Sequence, residues 1–298
     1  MKTERLLITG ASGMLGACLV EMFNSKYFVY ATGNSQFEGN KADEFLVFDL
    51  RKSDYRELIE WAKPNVIINC AAITNGNLCE ENINDAFEIN GFTVHKLMKH
   101  TQNDVKIIQI STDAVFNSFS HLAKEQNNVG PENVYGKSKE LGEFFLLNSN
   151  REFSIIRTTI VGLNSNKNKE GFTEWIIRSV KNGTKINLFS DVYFTPITIW
   201  DLANSIDRLI SSNSYEKVLH IAGSQVCTKY EFGVSLINKL GYDTTNINEG
   251  SIQDFAFRAK RSSDQTLDST FFEKKFNCSL PNLNDTIETI CSKIKYYE

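Results

Sequence analysis

Short runs of Val, Ile and Leu recur along the first half of the chain, each followed by a stretch whose apolar residues return every three to four positions. Arg5–Thr9 is the first run, and Ala17–Asn24 behind it has helical periodicity. Further runs at Tyr27–Thr32, Glu44–Asp49, Val66–Asn69, Val105–Ile110 and Phe153–Ile156 predict strands, separated by predicted helices at Tyr55–Ala62, Glu80–His100 and Tyr135–Leu147. Continuous apolar runs, rather than alternating ones, suit strands buried on both faces of a parallel sheet. Strand and helix in alternation build βαβ units, so the pattern predicts an α/β fold with a Rossmann-type doubly wound parallel sheet. Asn90 falls inside the predicted Glu80–His100 helix, where it lowers propensity and either faces solvent or bonds neighbouring backbone, the second being expected.

Beyond Gly162 the pattern changes. Asn164–Glu170 is a polar run that reads equally as a substrate loop or a plain connection. Predicted helices at Phe172–Lys181, Asp201–Ile210, Tyr230–Leu240 and from Asp285 onward are interleaved with strands at Lys185–Phe189 and Lys217–Ile221 and an extended Tyr193–Ile197. The Asp201–Ile221 pair of elements is expected to rejoin the main sheet. The division expected is a Rossmann domain of residues 1–165 plus roughly 196–223, and a smaller C-terminal α/β cap of roughly 166–195 and 224–298.

Composition narrows the class. With 298 residues, 41% of them hydrophobic and 23% charged, the chain can bury a core without disulfides or metals. A net charge of -4 offers no basic field for nucleic acid or for an anionic membrane. No apolar run approaches the ~20 residues of a membrane span. Met1–Arg5 lacks the pattern of an export signal, so a cytoplasmic protein is expected. Six cysteines without Cys-x-x-Cys or histidine clustering suggest neither zinc nor a disulfide framework.

The chemistry is concentrated at strand ends. Gly10, Gly13 and Gly16 follow the first strand at spacings of three: a tight turn, a close backbone approach to a pyrophosphate, and a close helix–strand contact. Ser12, Met14 and Leu15 share that turn. The second strand ends in Gly33-Asn34-Ser35, where a dinucleotide fold reads the adenosine ribose. No carboxylate stands there to repel a 2′-phosphate and no arginine to grip one, so the expected cofactor is NADPH with NADH admitted. Asp49 and Leu50 end the third strand and are expected to face adenine. Cys70, Ala71 and Ala72 are small residues placed where backbone passes a cofactor, or simply packs. Ser111-Thr112-Asp113 ends the strand at 105–110, and Tyr135 and Lys139 lie one helical turn apart, the arrangement of a phenol acid beside an ammonium. Gly142-Glu143 is expected on that helix's polar side, and the aperiodic Ala114–Glu132 as a loop over the site. Arg258, Lys260 and Arg261 form a basic cluster that is either solvated surface or a grip on a diphosphate. Phe172, Trp175 and Tyr193 are candidates either for the core or for stacking a base.

In order and spacing these motifs resemble the extended short-chain dehydrogenase/reductases. The resemblance is strongest to the dTDP-4-dehydrorhamnose reductases and related nucleotide-sugar 4-ketoreductases. It is carried by Asn69-Cys-Ala-Ala-Ile-Thr74, Cys79-Glu-Glu-Asn82, Ser111-Thr-Asp-Ala-Val-Phe116, Tyr135-Gly-Lys-Ser-Lys-Glu-Leu-Gly-Glu143, Arg157-Thr158, Thr195-Pro196, Asp201-Leu-Ala203, and Leu267-Asp268 beyond Arg261. It implies reduction of the C4 ketone of a nucleotide-activated 4-keto-6-deoxyhexose, in making deoxysugars for surface polysaccharide. Tyr135 would then be the proton donor, its pKa lowered by Lys139 and the nicotinamide; Lys139 would hold the nicotinamide ribose and Thr112 the keto oxygen. Thr74, Thr112, Asp113 and Ile160 would face the sugar. The implied partner is a nucleotide-diphosphate sugar, with a homodimer admitted and no metal. Three positions depart from the family pattern: Ala114 and Ile160 where aromatics are usual, and Ser262 where a proline is common. Ile160 leaves the sugar open, and Ala114 lacks the carboxylate that dehydratases of this fold place there. The alternatives are an epimerase or 4,6-dehydratase of the same fold, or a non-catalytic dinucleotide-binding regulatory subunit.

Overall fold

The computed structural model describes residues 2–36 and 39–294. Its elements run β1 (Arg5–Thr9), α1 (Met14–Phe23), β2 (Phe28–Gly33), β3 (Glu44–Val47), α2 (Tyr55–Ala62), β4 (Val66–Asn69), α3 (Gly76–Glu81), α4 (Ile83–Phe87), α5 (Thr93–His100), β5 (Lys106–Ile110), α6 (Val134–Leu147) and β6 (Phe153–Arg157). There follow β7 (Ile160–Val161), α7 (Phe172–Lys181), β8 (Ile186–Phe189), β9 (Tyr193–Phe194), β10 (Ile197–Thr198), α8 (Ile199–Ser212), β11 (Val218–His220), β12 (Cys227–Thr228), α9 (Lys229–Lys239), β13 (Ile247–Gly250), β14 (Asp264–Gln265), α10 (Thr270–Phe276) and α11 (Leu283–Ile294).

One seven-stranded sheet, in the order β11-β6-β5-β4-β1-β2-β3, organises the rest. Every neighbouring pair in it is parallel, as the unbroken apolar runs foretell. Leu6 and Ile8 of β1 point to the face packed with Leu19 and Ile206, whereas Leu7 points to the face packed with Leu58, Val94 and Leu97. The sheet is therefore wound on both sides. The Val218–His220 strand pairs with β6 at the sheet edge, confirming that the chain returns to the main sheet. Short sheets β10-β7, β12-β9-β14 and β13-β8 stand apart from it.

Two departures from the expected elements have a local cause. Helix α1 starts at Met14 rather than Ala17, because the Gly13 carbonyl already accepts the Ala17 N–H at 2.9 Å. The Glu80–His100 helix is not one rod. It breaks at Asn82 (φ -125°, ψ 63°), resumes as α4, and widens into a π-helical turn over Glu88–Phe92 before α5. The bulge carries Asn90 inward. Its amide takes the Ile73 N–H at 2.7 Å and donates to the Ile73 carbonyl at 3.0 Å and the Ser138 hydroxyl at 2.9 Å. The expected backbone bonding of Asn90 is thus present.

Candidate active site

The site lies outside the carboxyl ends of the central strands, where βαβ sheets leave a crevice. A cavity of about 570 Å³ runs from the glycine turn past Thr112 and Tyr135 to Phe194 and Gln265. A groove of about 350 Å³ continues over Ser12, Asn34, Ser35 and Leu50, and a side chamber of about 340 Å³ opens from Thr112 and Tyr135 towards Arg261.

The glycine turn has the shape its spacing demands. Gly10 sits at φ +68°, and a Cβ there would stand 2.7 Å from Ala71 backbone; one on Gly16 would stand 2.3 Å from the Gly10 carbonyl. The turn therefore presses β4 on one side and α1 on the other, with the first-turn N–H groups of α1 facing the cavity. Gly13, Cys70, Ala71 and Ala72 floor the groove, and the buried Thr32 hydroxyl beside it has no partner among the described residues. A floor of glycines and small residues, helix N–H groups and an unpaired hydroxyl fit a dinucleotide.

Thr112 caps the 3₁₀ turn Asp113–Val115, its hydroxyl donating to the Asp113 carboxylate at 2.9 Å and accepting the Ala114 N–H at 3.2 Å. Tyr135 reaches it because Gly136 lets α6 press on that turn: a Cβ on Gly136 would stand 2.1 Å from the Ala114 carbonyl. Asn133 caps α6 through the Gly136 N–H at 2.8 Å. Burial pushes the Tyr135 phenol above its ordinary value, and its hydrogen bond with Thr112 offsets this only partly. The expectation of a lowered tyrosine pKa is thus not met by the protein groups alone, because Lys139 turns away from the phenol and donates to the Ile110 carbonyl at 2.6 Å. Lys139 is itself lowered to about 8 by desolvation, against the attraction of Glu143.

Glu143 is the clearest departure from the sequence reading. Instead of lying on a polar face, Gly142 and Glu143 are buried, while Phe144 on the same helix is 57% exposed. The Glu143 carboxylate accepts from Arg157 at 2.6 and 3.1 Å and from the Ser111 hydroxyl at 2.5 Å. A buried pair bonded on this many sides locks α6 to β5 and β6 beneath Lys139.

The remaining candidates divide by position. Met14, Leu15, Thr74, Asp113 and Ile160 line the large cavity. Arg261 lines the side chamber, its guanidinium 3.9 Å from the Phe257 ring centre. Arg258 instead pairs with Glu81 at 3.1 Å on the surface, and Lys260 with Glu132 at 2.5 Å. Asp49 does not face the groove; its carboxylate is held by Arg51 through three contacts near 3.0–3.1 Å. Phe172 stacks on Phe232 at 5.8 Å and Trp175 at 6.3 Å, which makes both core aromatics. Tyr193 pairs within its small sheet, away from the cavities. Of the Ala114–Glu132 loop, Ala114, Phe116 and Glu132 border the side chamber while Ala123 packs into a separate cluster, so it flanks the site more than it covers it.

Three cavity residues carry no individual role in the sequence reading, although Thr158 falls in the Arg157-Thr158 motif and Lys169 in the polar 164–170 run. The Thr158 hydroxyl at the end of β6 is buried without a partner among the described residues. Lys229, the first residue of α9, brings its ammonium to 3.4 Å from the Phe194 ring centre and near Asp113. Burial lowers that lysine to about 8 and raises Asp113 to about 6, each held back by the other's charge. Lys169 crosses from the 164–170 run to the glycine turn. Nothing in periodicity or spacing marks these positions. Among the described residues no group of three or more His, Cys, Asp or Glu is placed to hold a metal, and no helix is long and apolar enough to cross a membrane.

Comparison with known proteins agrees with this geometry. The family model described as the RmlD substrate binding domain matches residues 4–296. A dTDP-4-dehydrorhamnose reductase of Aggregatibacter actinomycetemcomitans is 29% identical, covering 91% of this chain and 93% of that protein. The spore coat polysaccharide biosynthesis protein SpsK of Bacillus subtilis is 28% identical over 80% of this chain and 81% of its own. Among solved structures, dTDP-4-dehydrorhamnose reductase from Bacillus anthracis in complex with NADP superposes with a TM-score of 0.87 at 25% identity, covering 98% of this chain and all of that one.

Proposed function

The chain belongs to the RmlD substrate binding domain family, and on that footing we propose that it is an NADPH-dependent reductase of the C4 ketone of a nucleotide-activated 4-keto-6-deoxyhexose, in deoxysugar synthesis for surface polysaccharide. The observation that carries the reading is the meeting of Thr112 and Tyr135 in one cavity with the glycine turn of a dinucleotide fold. Gly10, Ser12, Gly13, Gly16, Asn34, Ser35, Leu50 and Cys70 to Ala72 would hold the dinucleotide, and Lys139 its nicotinamide ribose. A reduced nicotinamide bound there supplies hydride to the carbonyl carbon. The chain's own part is to place the ketone and protonate its oxygen. Thr112 holds that oxygen, and Tyr135, kept neutral by burial, gives it the phenolic proton, yielding the alcohol. The phenolate left behind, which Lys139 does not face, would be stabilised by the positive charge of the oxidised nicotinamide. Arg261 in the side chamber is suited to the substrate diphosphate.

Residues 1–165 with roughly 196–223 would carry the dinucleotide, and the remainder the sugar nucleotide. We place the reaction in the cytoplasm. A homodimer is supported by the exposed Phe92, Phe144 and Leu147 on and beside α6. Ala114, which has no ionisable group, speaks against the dehydratase alternative. The test is NADPH absorbance loss with a panel of dTDP-, GDP-, UDP- and CDP-4-keto-6-deoxyhexoses. Net consumption is expected with at least one, whereas an epimerase or a regulatory subunit would give none. Tyr135→Phe should lower kcat by about 10²- to 10⁴-fold while keeping dinucleotide affinity; near-normal turnover would sink the proton-donor assignment.

A further inference from the structure

The end of β2 poses a question that its own residues leave open. Gly33-Asn34-Ser35 offers neither a carboxylate to favour an unmodified ribose nor a basic side chain to grip a 2′-phosphate. The structure brings a cation there from elsewhere in the chain. Lys169, well over a hundred residues on, places its ammonium 3.0 Å from the Ser12 carbonyl and 3.4 Å from the Ser12 hydroxyl. That hydroxyl lies 3.4 Å from where a Cβ on Gly33 would stand. Glycine turn, strand end and ammonium therefore converge at one rim of the 350 Å³ groove, which Lys169 lines together with Asn34 and Ser35.

We infer that Lys169 selects a 2′-phosphorylated dinucleotide, supplying across the groove the cation that the end of β2 lacks. The inference rests on the proposal that this groove takes a nicotinamide dinucleotide. Three further observations support it. Among the described residues the ammonium meets no carboxylate: Glu170 is taken by Arg178 at 2.5 Å, and Glu174 accepts from the Asn164 and Gly171 backbone at 2.6 Å. Desolvation alone accounts for its lowered pKa, so its charge is set against the neutral groups of Ser12 and is free to meet an anion. The segment that carries it is also tied down. Asn164 is bonded twice to Glu174, and the Lys169 N–H to the Asn166 carbonyl at 2.9 Å, which holds the backbone from which the side chain extends. The unpartnered Thr32 hydroxyl beside the same rim adds a neutral donor.

The experiment titrates NADPH and NADH into the wild-type protein, Lys169→Gln and Lys169→Arg, following nicotinamide fluorescence, with 2′,5′-ADP and 5′-ADP as competitors. Lys169→Gln should weaken NADPH about tenfold, as expected for one charge-assisted contact, and leave NADH within about twofold. The same variant should erase the advantage of 2′,5′-ADP over 5′-ADP, and Lys169→Arg should restore it. Equal weakening of both dinucleotides would move Lys169 onto the shared pyrophosphate and overturn the inference while sparing the functional reading. Unchanged affinities for both would overturn it too. Failure of the wild-type protein to bind either dinucleotide would overturn the functional reading and this inference with it.

Discussion

Around Tyr135 the individual side chains are tuned by how far each is removed from water. The phenol is raised, Lys139 is lowered to about 8 and Asp113 is raised to about 6, and in each case desolvation is the largest cause. A neutral tyrosine is the form that donates a proton, so the site is poised for ketone reduction rather than for proton removal. Lys229 is the residue whose role sequence spacing does not reveal. Its ammonium rests against an aromatic face with no hydrogen-bond acceptor among the described residues, opposite Asp113 at the end of the cavity away from the glycine turn. Such a cation gains most from an acceptor brought by substrate. Lys229→Met should raise KM for the nucleotide sugar about tenfold or more, the value of a hydrogen bond to a charged group, and leave the NADPH Kd unchanged. A KM unaltered across the active sugars would assign the lysine to packing.

At the scale of elements, the position of α6 decides whether Tyr135 meets Thr112. Two close approaches set it. Gly136 lies against the Ala114 carbonyl, and Gly91, in the π-helical turn, lies where a Cβ would stand 2.8 Å from Leu141 and 3.0 Å from the Ser138 carbonyl. The turn exists to place Asn90 and Gly91 against α6, and helical propensity alone contains no signal for it. Gly91→Ala should destabilise the fold by about 1–3 kcal/mol in urea unfolding, the usual cost of overpacking, and lower kcat by shifting α6. Stability and kcat both at wild-type level would show that α6 can yield without consequence.

Across the whole molecule, a buried polar chain ties the sheet edge to the site. Ser111 follows β5, Glu143 is on α6, Arg157 ends β6 and His220 ends β11; the Arg157 guanidinium stands 3.5 Å from the His220 Nε2, and the His220 ring donates to the Ala123 carbonyl at 2.8 Å. Burial and the Arg157 charge hold His220 down at about 3, with Asp268 opposing them. The sign follows from the lowered folded value. Above pH ~6.5 the imidazole is neutral in folded and unfolded chains alike and has no effect; below it the unfolded chain binds the proton first, so stability is lost as pH falls towards 3. The Asp113 carboxyl, raised to about 6, pulls the other way over part of that range. The wild-type melting temperature should therefore fall between pH 6.5 and 5 more steeply than that of His220→Asn, which keeps a donor for Ala123. Parallel curves would show that this histidine titrates freely.

Much of this was already written in the amino-acid order. Continuous apolar runs fix buried parallel strands because such strands have no wet face, and three glycines at spacings of three mark a turn that a Cβ would obstruct at Gly10 and Gly16. Tyr135 and Lys139 were legible because one helical turn joins them. Contacts between residues far apart were not. The burial of Glu143 on α6 needs Arg157 from β6, the surface pairing of Arg258 with Glu81 joins distant segments, and Lys169 and Lys229 reach the site only when the chain beyond Gly162 folds back. Local patterns determine elements, since propensity and periodicity act over a few residues. Which charges end up desolvated, and against what, is decided only when the elements pack.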